Sequence, residues 1–191
     1  TEDAVFTADA LLLTPPVPQS LDLLAAGNVS LPAEAQQQLE KLAYDPCFAV
    51  MVTLDGPSNL PEPGAIQVNG ELITWIGDNK MKGISERTAV TIHASPAFTR
   101  EHFEAEDRTA VGRLLIDEAH QQGWLDKSLI REMQVHRWKF AQPTSYHTER
   151  TLLINTPLPL AFAGDVFQEA KVEGAALSGL AAAEALMQSL P

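Results

Sequence analysis

The chain has 191 residues, 45% of them apolar, and carries 25 acidic against 13 basic side chains for a net charge of −12. That balance opposes binding to nucleic acid or to an anionic membrane surface, and no apolar run approaches the roughly 20 residues of a membrane span. A lone cysteine, Cys47, allows no internal disulfide and makes a reducing cytoplasm the expected compartment.

Pro18 to Leu24 and Pro32 to Ala43 read as short helices joined at Gly27-Asn28, with proline and glycine as the punctuation. Cys47-Phe-Ala-Val-Met-Val-Thr-Leu54 is almost wholly apolar, the pattern of a strand buried on both faces. Pro57 through Pro63 is a proline-rich loop. Asn69-Gly70, between Ala65-Ile-Gln-Val68 and Glu71-Leu-Ile-Thr-Trp-Ile76, predicts a hairpin with a two-residue turn. Thr88 to Ala94 and Met133 to Phe140 supply further strands. From Phe98 to Trp124, apolar residues at Phe103, Ala110, Val111, Leu114, Leu115 and Ala119 recur near helical spacing. Glu101, Glu104 and Glu106 stand early in that span, where the helix dipole favours acids, and Gly123 ends it. Last come the segment Leu160-Ala-Phe-Ala-Gly-Asp-Val-Phe167, an apolar strand that ends in Gly-Asp, and a small-residue helix from Gly174 to Leu190. Strands with interposed helices predict an α+β fold, an antiparallel mixed sheet covered by helices.

The two final elements carry the first chemical signal. A helix N-terminus presents N–H groups without intrahelical partners and the positive end of a macrodipole. Val172, Glu173 and Gly174 would offer such groups to the N1/C2 edge of a flavin and stabilise the negative charge of the reduced ring. Gly164 and Asp165 stand at the carboxyl end of the strand, where open α/β sheets hold ligands. There the carboxylate would accept a ribityl or ribose hydroxyl, or else simply cap a strand-end turn. The Glu173 side chain has no assigned catalytic role. In Met133-Gln-Val-His-Arg-Trp-Lys-Phe140, alternation puts Gln134, His136, Trp138 and Phe140 on one face and Val135, Arg137 and Lys139 on the other. Lys80, Lys82, Arg137 and Lys139 would meet a phosphorylated substrate, or serve as solvated edges. Cys47 opens an apolar strand and is expected to be a buried, inert thiol rather than a flavin attachment point. His93, His102, His120, His136 and His147 lack metal-ligand spacing, and Leu177-Ser-Gly179 does not match a nucleophile elbow.

The final strand and helix resemble the FAD-contacting motif of the flavin amine oxidase superfamily. Together with Tyr44-Asp-Pro-Cys-Phe-Ala-Val-Met51, Lys82-Gly-Ile-Ser-Glu86, Ala89-Val-Thr-Ile-His-Ala-Ser-Pro96 and Gln134-Val-His-Arg-Trp-Lys-Phe140, they resemble its bacterial renalase-like branch over nearly the whole chain. The resemblance implies a substrate domain over 16–155. It also implies the C-terminal strand and helix of a Rossmann-like FAD domain over 156–191, with 1–15 as the strand that returns to that domain. It places the strand of His136 and Trp138 near the flavin. These two become candidate catalytic and substrate-binding residues, with Trp75 a further substrate-binding candidate. By the same resemblance the reaction is hydride transfer from an anomalous dihydro-NAD(P) to FAD and then to oxygen, which needs positioning over N5 more than a strong base. An amine oxidase, a desaturase-type enzyme and a non-catalytic module that associates through exposed apolar surface are the alternatives. No Gly-x-Gly-x-x-Gly follows a strand, so the pyrophosphate site of a dinucleotide fold is absent. The chain is therefore expected to be the C-terminal part of a larger flavoprotein, short of roughly 100 residues. Alone it should be inactive, bind FAD weakly or not at all, and need the N-terminal half as partner.

Overall fold

Alternating burial along the middle of the chain builds a five-stranded sheet with one face packed on helices. The computed structural model describes residues 4–68, 70–155 and 158–190. Its backbone separates into two compact units: residues 45–141, and the flanking segments through Tyr44 and from Gln142 onward. Residues 16–44 and 142–155, expected with the substrate domain, thus cluster with the chain's ends. The reason is apolar: Val17, Leu24, Leu39 and Leu42 share a buried cluster with Leu160, Phe162 and Phe167.

In the flanking unit, β1 (Leu11–Leu13) leads into α1 (Val17–Ala26) and α2 (Ala33–Glu40). β1 pairs in parallel with β8 (Leu160–Phe162), and β7 (Leu152–Ile154), for which the sequence offered no clear signal, pairs antiparallel on its other side. The strand, expected to end at Gly164-Asp165, covers Leu160–Phe162 and the chain turns just beyond it, with Phe167 making an isolated bridge to His147. α5 runs from Val172 to Ser189. Of the segment expected to form the returning strand, Thr1–Asp3 lies outside the described residues, and only Leu11–Leu13 is extended in a sheet.

In the middle unit the sheet order is β3-β4-β5-β2-β6, from β2 (Tyr44–Leu54), β3 (Ala65–Gln67), β4 (Ile73–Asp78), β5 (Ala89–Ala94) and β6 (Ile130–Pro143). β4 is antiparallel to β3 and β5, and β5 to β2. Val50, Val52, Ile76, Val90 and Ile92 are buried against Phe98, Val111 and Leu115 of the helical layer. β2 is not buried on both faces throughout, since Met51 remains 37% exposed on the side away from the helices. The β3–β4 hairpin forms, with Gln67 paired to Trp75 and the Val68 N–H donating to the Thr74 carbonyl at 2.7 Å. Asn69, on which the expected two-residue turn rested, lies outside the described residues.

The helix expected over 98–124 is two helices, α3 (Pro96–Glu101) and α4 (Arg108–Gln121). Side-chain caps explain the break: Ser95 accepts from the Phe98 N–H, and Asp107 accepts from the Ala110 N–H at 3.0 Å. The early glutamates fall before α4 rather than in its first turn. Gly123 does terminate it at φ 76°, with the Trp124 N–H reaching the Ala119 carbonyl at 3.0 Å, a Schellman closure. No helix among the described residues is long and apolar enough to cross a membrane.

Gly112 lets α4 approach the sheet, since a Cβ there would lie 2.5 Å from Val135 Cγ2. Gly112→Val should therefore overpack the layer and lower unfolding stability by about 1–3 kcal/mol, read from urea denaturation. An unchanged midpoint would refute this packing.

Candidate functional site

Two sets of residues carry the chemistry, one in each unit. In the flanking unit, β8 delivers Gly164 and Asp165 to a turn, and the chain returns through Lys171, at φ 102°, into α5. Ser178 of α5 ties this turn down: its hydroxyl donates to the Arg150 carbonyl at 2.6 Å and accepts from the Gly164 N–H at 3.0 Å. Gly174 sits in the first turn of α5 against the preceding loop. A Cβ there would meet the Glu169 carbonyl oxygen at 2.0 Å, so only glycine allows the approach. Val172 and Glu173 are exposed at the start of the helix, and no side chain caps it. Gly164, Asp165, Val172, Glu173 and Gly174 thus lie along one loop and helix start, as the sequence order required.

Asp165 is half-buried. Desolvation holds its carboxyl above the ordinary range, opposed by its own backbone N–H. The sequence offered no sign of its neighbour Tyr44. Burial pushes that hydroxyl up to about 12, the Val17 N–H that it accepts at 3.3 Å pulls the other way, and the Asp165 charge adds to the rise. Uncapped N–H groups suit an electron-rich ring edge, and a carboxylate suits the hydroxyls of a polyhydroxyl chain.

In the middle unit, the candidates lie on the sheet face turned away from α3 and α4. Met133 and Val135 pack towards the core, which leaves Gln134, His136 and Trp138 on the opposite face. The His136 and Trp138 rings are 4.2 Å apart and Trp138 is 53% exposed. Trp75 lies on the same face of the sheet but not with that pair, because β5 and β2 intervene. Its partner is His93, directly opposite on β5, with ring centroids 4.9 Å apart. Burial and the nearby Lys82 charge both lower the His93 pKa. The Trp75 ring lies over Gly77, where a Cβ would come within 2.5 Å of it. His93 was legible in hindsight: Val90, Ile92 and Ala94 are buried, so Thr91 and His93 must point the other way.

The four candidate cations separate. Arg137 is used on the helix side, its guanidinium 4.3 Å from the centre of the Phe103 ring and donating to the Phe103 carbonyl. Lys139 lies over Phe140 and Lys80 lines a separate cavity at the sheet end, whereas Lys82 stands over Trp75. Cys47 is partly buried, and desolvation pushes its thiol up to about 11.

A model of the flavin containing amine oxidoreductases matches residues 1–187. The chain belongs to that family. Among solved structures it is similar to an oxidoreductase from Methanosarcina mazei, at 17% identity and a TM-score of 0.62 over 96% of this chain and 44% of that one. It is also similar to an Exiguobacterium protein proposed to be a protoporphyrinogen oxidase, at 16% identity and 0.61 over 95% and 42%. A Pyrococcus furiosus protein matches at 15% identity and 0.55 over 95% and 41%. These likenesses are of fold, a mixed α+β architecture, and the chain spans less than half the length of each structure. Family membership implies a flavin cofactor in the whole protein.

Two outcomes follow. Asp165 retains protons in the folded state at pH values where the unfolded carboxyl has lost them, so stability falls as pH rises through that window. Asp165→Asn should raise the thermal midpoint of the flavin-free chain at pH 7, with the gain disappearing below about pH 4; a lowered midpoint at pH 7 would contradict the desolvation. At pH 8, Cys47 should react with iodoacetamide about 100-fold more slowly than an ordinary thiol, because its thiolate fraction is that much smaller.

Proposed function

We propose that the chain supplies the substrate sheet and the flavin-edge helix of an FAD-dependent oxidoreductase that takes hydride from an anomalous dihydronicotinamide dinucleotide. A flavin held there would supply the two-electron acceptor, with oxygen and solvent protons as the final sink giving hydrogen peroxide. Val172, Glu173 and Gly174 supply backbone N–H groups to the ring edge, and Asp165 accepts from the hydroxylated chain. His136 and Trp138 pack against the planar donor, a positioning role that needs no strong base.

The observation that carries this reading over an amine substrate is the ammonium of Lys82, 5.2 Å from the centre of the Trp75 ring. An amine oxidase site gains by offering bare aromatic faces to a cationic substrate. Here one such face already holds a cation, which repels an ammonium and attracts phosphate. A role for the chain solely as an interaction module leaves the paired rings on the open sheet face without a use.

The same reading gives the exposed side of α5 a partner. Ala176, Leu180, Ala183 and Met187 recur at helical spacing, all exposed, and an apolar stripe of this kind calls for cover. Its occupant in this proposal is the nucleotide-binding half of the same protein, in keeping with a chain that spans 44% of a similar structure. Alone, the chain should bind FAD weakly and self-associate through this stripe, and Leu180→Lys should restore the monomer in sedimentation.

The reaction is tested by anaerobic titration of the full-length flavoprotein. Bleaching of the flavin bands by anomalous dihydronicotinamide dinucleotides but not by primary or secondary amines is expected. Bleaching by amines alone would replace the proposal with amine oxidation.

A further inference from the structure

The open sheet face carries a second constellation besides His136 and Trp138. The Trp75 indole lies flat along its own strand, over Gly77, where any larger residue would displace it. His93 stands across the strand pair, its ring tilted by 37° at 4.9 Å, and walls one side of the indole. After β4 the chain folds back through a tight turn: the Lys82 N–H donates to the Asp78 carbonyl, and Gly83, at φ 71°, closes the turn with its N–H on Lys80. Asp78 anchors the turn. Its buried carboxylate accepts from the Ser58 hydroxyl at 2.6 Å and the Lys80 N–H at 2.8 Å. The turn brings Lys82 over Trp75, and the Asn79 side-chain oxygen holds the ammonium at 3.2 Å. A flat aromatic platform, a neutral-leaning imidazole wall and a positioned cation are thereby assembled within one hairpin and its neighbouring strand.

We propose that Trp75, His93 and Lys82 form a shelf that binds the phosphate-bearing part of the substrate, the phosphate drawing the Lys82 ammonium off the indole and the heteroaromatic base or ribose taking its place on the ring. The inference rests on the dinucleotide reading above and adds to it the residues that select an anionic, ring-bearing ligand. Chemistry favours this ligand on a protein of net charge −12, whose overall field repels anions: a local cation with an aromatic floor is what an anionic ring compound needs to bind there. Lys82 and Trp75 are positioning residues and the hydride transfer itself lies elsewhere, so their loss should appear in KM and not in kcat.

The full-length flavoprotein is the material for the test, with two readouts. In steady state, Lys82→Met should raise KM for the phosphorylated dihydronicotinamide dinucleotide about tenfold, the worth of one charge-assisted contact. It should leave kcat, and both constants for the uncharged dihydronicotinamide riboside, within about twofold. Lys82→Arg should restore most of the affinity. Independently of turnover, adenosine diphosphate, which lacks the nicotinamide ring that Trp138 would meet, should quench tryptophan fluorescence, and Trp75→Phe should abolish that change. Inorganic pyrophosphate should compete for the same site in the parent protein and not in Lys82→Met. Equal KM for parent and Lys82→Met, or quenching that survives Trp75→Phe, overturns the shelf even if dihydronicotinamides reduce the flavin. Flavin that no dihydronicotinamide reduces, with quenching still dependent on Trp75 and Lys82, overturns the reaction and leaves the shelf standing.

Discussion

The packing of β2 against β5 and α4 governs everything else in the middle unit. Val50 lies opposite Ile92 and Val52 opposite Val90, and these four close over Val111 and Leu115. Because side chains alternate with a period of two, this choice of buried face also dictates which residues face the other way. A slip of one residue by β5 in that register would bury Thr91 and His93 and expose Val90 and Ile92. The cost of exposing several fully buried aliphatic side chains, about 1.5–3 kcal/mol each, makes such a slip prohibitive. The candidate ligand face is thus held in place by the core behind it.

In the flanking unit the corresponding constraint is backbone contact. Gly174 meets the Glu169 carbonyl where no side chain fits, and Ser178 joins the Gly164 N–H to the Arg150 carbonyl. α5 is therefore held by hydrogen bonds and a close approach near its start, and by Ala182 against Ala161 and Ala163 further along. Small residues along α5 serve this approach, and they leave the exposed stripe with Leu180 and Met187 as its largest members. Rigid attachment of a helix whose first turn stays uncapped suits a site that presents backbone N–H groups to a ligand, since preorganised donors need no rearrangement when charge develops.

Two polar groups in this unit are held against the cost of burial. Asp165 and Tyr44 are each desolvated, and the charge of one opposes ionisation of the other. A turn with only a structural purpose would be served as well by asparagine, which carries no charge to desolvate. Cys47 has gone the other way: its thiol is desolvated without a neighbouring cation and stays protonated, the mark of packing rather than reactivity.

Much of this was legible in the chain because it depends on local periodicity. The alternation around His136 and Trp138, the apolar β2, the hairpin and the sequence from Gly164 to Gly174 into a small-residue helix all follow from residue spacing, which fixes side-chain direction within one element. Element limits were less legible, as at Ser95 and Asp107, where caps divided one apparent helix, because a capping hydrogen bond competes with propensity over only a few residues. The gathering of Trp75, His93 and Lys82, and the neighbourhood of Tyr44 and Asp165, could not be read at all. Those groups come from separate elements, and their proximity depends on strand order and on the return of a turn over its own strand. Sequence by itself determined the α+β class, the small-residue C-terminal helix and the aromatic strand, since each is a pattern within one segment. Only the tertiary structure decided which rings and which lysine share a surface, because long-range pairing is set by burial of the whole core and not by any one segment.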